Sequence, residues 1–122
     1  MRTLYVSDLD GTLLNSKDKV SRYSCETINR LVEEGMLFTY ATARSLVSAS
    51  VVTKGLTTRI PVIAYNGAFI FEPATGTILA SEGFTQQERV YVRETMEEHG
   101  LSPLVYSFIN GIEKVSWETS QE

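Results

Sequence analysis

The stretch Leu4-Tyr5-Val6-Ser7-Asp8-Leu9-Asp10-Gly11-Thr12-Leu13-Leu14 constrains this chain more than any other. Four residues suited to a buried strand run into two carboxylates spaced i and i+2, and Gly-Thr follows. Parallel α/β sheets place their chemistry at the C-terminal ends of their strands, so an acid pair there marks a candidate site. In an extended backbone Asp8 and Asp10 share one side. Gly11 breaks that extension and lets the two acids converge. Two carboxylates in one small volume repel unless positive charge sits between or beside them. A hard divalent cation with oxygen ligands, Mg²⁺ foremost, meets that need. The competing reading is a solvated acidic turn or an acidic helix start without chemistry.

Downstream, residues 15–20 are polar and read as a loop or short flap. Ser21 can cap a helix running to about Glu34, with Cys25, Ile28, Leu31 and Val32 on one face. Gly35 stands where a left-handed terminating residue is wanted. Leu37-Phe38-Thr39-Tyr40-Ala41 reads as a second strand ending in Thr42-Ala43-Arg44-Ser45, and the helical stretch after it stops near Gly55. Pro61-Val62-Ile63-Ala64-Tyr65 is a third strand entering Asn66-Gly67-Ala68. Three strands with two intervening helices predict an α/β fold, a Rossmann-like parallel sheet.

The rhythm then changes. Phe69-Ile70-Phe71 and Thr77-Ile78-Leu79-Ala80 flank Glu72-Pro73-Ala74-Thr75-Gly76, a hairpin pattern. Thr85-x-x-Glu88 is a capping box for a helix to about His99, closed by Gly100. Asn110-Gly111, between strand-like arms at 104–109 and 112–117, is a two-residue hairpin turn. Helix followed by hairpin differs from βαβ, so we expect a boundary near Gly83, with domains at 1–83 and 84–122.

Charge and composition exclude several classes. A net charge of −4 provides no basic stripe, so neither nucleic acid nor an anionic membrane is an expected partner. No apolar run reaches membrane-spanning length. Cys25 is the single cysteine, cannot form an internal disulfide, and points to core packing in a reducing cytoplasm. All three aspartates, Asp8, Asp10 and Asp18, lie near the N-terminus; every later acid is Glu.

Asp8-Leu9-Asp10-Gly11-Thr12-Leu13-Leu14 resembles the first motif of the haloacid dehalogenase superfamily of phosphohydrolases, Asp-x-Asp-Gly-Thr after a hydrophobic strand. The resemblance implies that Asp8 is the nucleophile, becoming an aspartyl-phosphate, and that Asp10 is the general acid/base. It implies Mg²⁺ held by the other oxygen of Asp8 and the backbone carbonyl of Asp10. Thr42 corresponds to a Ser or Thr that holds the phosphoryl group; a plain helix-capping Thr is the alternative. The subgroup's Thr-Gly-Arg is Thr42-Ala43-Arg44 here. Arg44 is expected to meet phosphate or a carboxylate elsewhere, or simply to be a solvated helix-start residue. Asn66-Gly67-Ala68 resembles the Asn-Gly-Ala of Cof-type members, where Asn66 would line the site, though Asn-Gly is also good turn chemistry. Thr12 and Ala43 complete the phosphate and substrate contacts so implied. His99, before a helix-ending Gly, receives no catalytic role.

Only a flap and one helix separate the first two motifs, which leaves no room there for a cap domain. The stretch 84–122 therefore resembles the beginning of an α+β cap inserted after the third strand, as in Cof-type sugar phosphatases. The phosphomannomutase branch shares that placement, so the implied reaction on a small phosphorylated metabolite, a sugar phosphate, is hydrolysis or transfer. The family's later Gly-Asp-x-x-x-Asp loop has no counterpart, because no Asp follows Asp18. Neither has its Lys, because Lys54 and Lys114 fall away from strand ends facing Asp8 and Lys17 and Lys19 belong to the flap. The resemblance thus covers nearly the whole chain but only the first part of the family's length. We expect a fragment, a truncation, or a chain completed by an oligomeric partner or a missing C-terminal half. The expected consequences are an exposed edge on the first strand and little or no turnover alone. A non-catalytic interaction module is the alternative. A receiver domain is excluded, because its third strand would end in Asp and this one ends in Tyr65-Asn66.

Overall fold

The computed structural model describes residues 1–117. Its elements are β1 (Leu4–Ser7), α1 (Arg22–Glu33), β2 (Leu37–Tyr40), α2 (Leu46–Val52), β3 (Val62–Ala64), β4 (Phe69–Phe71), β5 (Ile78–Ser81), α3 (Gln86–Glu98), β6 (Val105–Ile109) and β7 (Ile112–Ser116). The chain divides into two compact units, Met1–Glu82 and Gly83–Glu122.

In the first unit β1 and β2 pair in parallel, with Leu4 opposite Leu37 and Ser7 opposite Tyr40. The Ala41 N–H donates to the Ser7 carbonyl, and the Thr42 N–H to that of Ile63. The contact between β2 and β3 is a single parallel bridge, Ala41 to Ile63, rather than a full ladder. Pro61 accounts for this: it has no N–H to extend the ladder, and its carbonyl instead accepts from the Thr39 hydroxyl at 2.7 Å. β3 then joins β4 and β5 in an antiparallel sheet, so the predicted 69–80 hairpin also pairs with the third strand. The mixed α/β class with a parallel element is as expected.

Helix α1 starts at Ser21, whose hydroxyl accepts from the Ser24 N–H, and ends before Gly35 at φ +104°. Its apolar face carries half-buried Cys25, Ile28 and Leu31 and buried Val32. Burial pushes the Cys25 thiol up, away from reactive thiolate character. Asn29 ties the helix to the loop after α2, donating to the Gly55 carbonyl and accepting from the Thr57 N–H, both at 2.7 Å. The core gathers Leu9, Leu14, Val20, Val32, Phe38, Tyr40, Ala49, Val62, Ala64 and Phe71. β1 departs from its buried-strand pattern: Leu4, Tyr5 and Val6 are 54%, 53% and 49% exposed. Among the described residues β1 pairs only with β2, so its other edge is open, as expected for a first strand lacking neighbours.

In the second unit both local signals form. Thr85 and Glu88 complete a reciprocal capping box at the start of α3. Asn110 and Gly111 adopt φ +53° and +75° between β6 and β7, the positive pair that a tight two-residue hairpin requires. No helix among the described residues is long and apolar enough to cross a membrane.

Candidate active site

Register builds the site. Because Ser7 lies opposite Tyr40 and Ala41 bridges to Ile63, the strands β1, β2 and β3 end side by side. Asp8, Thr42 and Asn66 follow those ends and line one open hollow of about 460 Å³ together with Ala43 and Gly67. Asp10, Thr12 and Arg44 are not among its lining residues, and a second hollow of about 420 Å³ lies beside Arg2, Glu34 and Met36.

The acidic loop is a short, irregular turn over Leu9–Leu13, closed by the Leu14 N–H donating to the Leu9 carbonyl at 2.9 Å. Gly11 takes φ +74° with open space at its Cβ position, so glycine is wanted here for backbone freedom rather than for room. Leu9, between the two acids, is fully buried. It anchors the loop while Asp8, Asp10 and Thr12 stay exposed. The Asp8 carboxylate accepts from the Leu9 N–H at 2.7 Å. Leu14 and Val20 close the following flap through an antiparallel bridge, and the Asn15 side chain accepts from the Lys17 and Lys19 N–H groups.

Asp10 is bound by Arg44. Nε and Nη2 donate to the two Asp10 carboxylate oxygens at 2.8 Å each, while Nη1 donates to the Ser48 hydroxyl at 2.8 Å. This hydrogen-bonded guanidinium holds the Asp10 carboxyl below the usual carboxylate range and pushes Arg44 up in turn. Ionised Asp10 is therefore favoured, a state suited to accepting a proton. The helix α2 is capped by Ser45, whose hydroxyl accepts from the Ser48 N–H. Thr42 is not that cap: it is buried, and its hydroxyl accepts from the Arg44 N–H at 3.0 Å.

The turn after β3 is strained and well tied. Tyr65 and Asn66 both lie in the left-handed region, at φ +52° and +56°, a conformation that Asn adopts readily and that is costly for Tyr65. The Tyr65 N–H donates to the Arg44 carbonyl and the Asn66 N–H to that of Thr42, both at 3.0 Å. The Tyr65 ring packs edge-on against Phe69 at 5.2 Å. Strain, tether and packing together hold Asn66 at the mouth of the hollow.

Asp8 and Asp10 are hard oxygen donors of the kind Mg²⁺ takes. They fit that ion in kind but fall short in number: no group of three His, Cys, Asp or Glu that could hold a metal occurs among the described residues. Sequence reasoning singled out the two acids and the Thr42-Ala43-Arg44 loop but missed Leu9 and Ser48. The apolar residue between two acids, and a serine four residues after an arginine that precedes a helix cap, were the available signals.

A sequence model of the haloacid dehalogenase-like hydrolases matches residues 5–119. The 5-amino-6-(5-phospho-D-ribitylamino)uracil phosphatase YwtE of Bacillus subtilis is 34% identical over 108 residues, 79% of this chain and 36% of its own length. The pyridoxal phosphate phosphatase YbhA of Escherichia coli is 28% identical over 99 residues, 81% of this chain and 36% of that protein. Among solved structures, a phosphatase of the haloalkanoate superfamily from Bacteroides thetaiotaomicron gives a TM-score of 0.74 at 25% identity, over 98% of this chain and 43% of that one. A haloacid dehalogenase-like hydrolase from B. subtilis gives 0.72 at 26% identity, over 85% and 36%. The chain thus spans little more than a third of the length of these two curated relatives.

Proposed function

We propose that this chain, which belongs to the family of haloacid dehalogenase-like hydrolases, carries the nucleophile and the acid/base of a Mg²⁺-dependent phosphatase for a small phosphorylated metabolite. The observation that carries the reading is the placing of exposed Asp8 beside Thr42 and Asn66 around one hollow at three adjacent strand ends. Relatives described as phosphatases of phosphorylated metabolites support it. A sugar phosphate, a cytoplasmic setting and a cap domain beginning at 84–122 belong to the same proposal.

In the first half-reaction an Asp8 carboxylate oxygen bonds to phosphorus. The ester P–O bond breaks, and the leaving oxygen takes its proton from the protonated form of Asp10, the minor form because Arg44 favours the ionised one. In the second, water attacks phosphorus, its proton passes to the Asp10 carboxylate, and the P–O bond to Asp8 breaks to release phosphate. Thr42, Thr12, Asn66 and the backbone at Ala43 are assigned to the phosphoryl oxygens. Asp8 and Asp10 would hold Mg²⁺, which when bound offsets the charge of the phosphoryl group. We place the phosphate-neutralising Lys and the acidic metal loop outside these 122 residues, so multiple turnover by the chain alone is expected to be slight.

Attack by Asp8 can be tested without turnover. An aryl phosphate releases its aryloxide without needing a proton, so incubation with Mg²⁺ should add one phosphoryl group to the chain, located on Asp8 by mass spectrometry. Asp8→Asn should take up none. A folded wild-type chain that gains no phosphoryl group, or gains it elsewhere, overturns the reading.

A further inference from the structure

We infer that Arg44 is a positioning residue that aims the Asp10 carboxylate, and is not a phosphate clamp. The inference rests on the reading of Asp10 as the acid/base of the proposed reaction. Three observations carry it.

The first is geometric. Of the two guanidinium edges that could grip a phosphate in bidentate fashion, the one formed by Nε and Nη2 is spent on the two oxygens of Asp10. The remaining terminal nitrogen, Nη1, is engaged by Ser48. The second is the rigidity of the base from which Arg44 reaches. Its N–H donates to the buried Thr42 hydroxyl, and its carbonyl accepts from Tyr65. Both main-chain polar groups of the arginine are thereby fixed to the strand ends that form the hollow. The third is the contrasting freedom of its target. Buried Leu9 and Leu14 anchor the ends of its turn, but Asp10 itself sits exposed between them, next to Gly11 with its positive φ.

Fold stability is a weak reason for such a pair. The side chains are 25% and 51% exposed, and exposed ion pairs contribute little to stability. Orientation is another matter. A group that must meet water or a leaving oxygen loses about 100-fold in rate when displaced by about 1 Å. Arg44 supplies a two-point hold that a lysine, with a single ammonium, does not reproduce.

The test separates the two steps of the proposed reaction. Arg44→Ala should accept a phosphoryl group on Asp8 from an aryl phosphate as fast as the wild type. It should then lose that group about 100-fold more slowly, the cost expected of a misplaced base. Guanidinium ion in solution should restore part of the loss in Arg44→Ala and none in Asp10→Asn, and Arg44→Lys should stay slow. In parallel, the Arg44 Nε–H resonance in the wild-type chain should stand apart from those of the other arginines. It should merge with them in Asp10→Asn, and stay in place in Asp8→Asn and in millimolar phosphate.

Slower phosphorylation of Arg44→Ala with unchanged loss of the phosphoryl group would make Arg44 a phosphate clamp and overturn the inference. So would an Arg44 signal indifferent to Asp10→Asn, or one that moves on adding phosphate. Absence of any phosphoryl group on wild-type Asp8 has a different signature: it overturns the nucleophile reading first and removes the role assigned to Arg44 with it.

Discussion

The two units of this chain are built on opposite balances of local and non-local order. In Met1–Glu82 the strands are short, and one of the joints between them is a single bridge. Even so, every buried residue among those described lies there, from Leu9 to Phe71. In Gly83–Glu122 the local signals are the strongest in the chain, a complete capping box and an Asn-Gly hairpin. No described residue of that unit is buried, and Tyr91, Leu104, Ile109, Ile112 and Trp117 stand more than half exposed. Sequence-local chemistry is enough to specify a helix and a hairpin. It does not supply a core, and burial of apolar area is what makes an element stable.

The contrast can be broken by substitution. Phe71→Ala, at a fully buried site, should cost about 3–5 kcal/mol in urea or thermal unfolding. Leu104→Ala, at a site 62% exposed, should stay within about 0.5 kcal/mol. A large cost at Leu104 would mean that the second unit's apolar surface is covered in solution.

A smaller effect compares two helix caps. Ser21→Ala should lower the unfolding free energy of the first unit by about 1 kcal/mol. Thr85→Ala removes an equivalent bond, yet should appear as faster hydrogen exchange confined to α3, because fewer buried contacts link that helix to a cooperative core. Equal global shifts in the two variants would show the units to be energetically alike.

The smallest expected effect is at the site. Ionised Asp10 is favoured in the folded chain by its Arg44 hydrogen bond. Any stability it contributes is therefore present above the unfolded-state pKa and lost as pH falls through the lower folded value. Unfolding midpoints of wild type and Asp10→Asn should differ slightly at neutral pH and converge in acid below the usual carboxylate range. A difference that persists or widens in acid would contradict that assignment. Exposure of the pair keeps the amplitude small.

Much of the architecture was legible from residue order. Ser21, Gly35, Thr85 with Glu88, and Asn110-Gly111 each dictate their own backbone through a cap or a positive φ, and each did so where expected. Other features were not legible, because they depend on partners distant in sequence. Nothing around Pro61 says that β3 meets β2 at one bridge and gives its other edge to β4. Thr42, read as either a phosphate contact or a helix cap, has its hydroxyl on the Arg44 N–H, while Ser45 takes the cap. Tyr65 carries no local preference for a left-handed backbone; it is held there by the Arg44 carbonyl and its contact with Phe69.

By itself the sequence determined which acidic groups follow the first strand and at which of its ends they sit. A strand running into Asp-x-Asp-Gly-Thr has few other physical readings, and the spacing sets which residues follow the strand. Only the tertiary structure decided what those groups touch. Asp10 and Arg44 are separated by 34 residues, and nothing in either neighbourhood names the other. Their pairing follows from the parallel register that sets Ser7 opposite Tyr40, and a register is a property of two strands together.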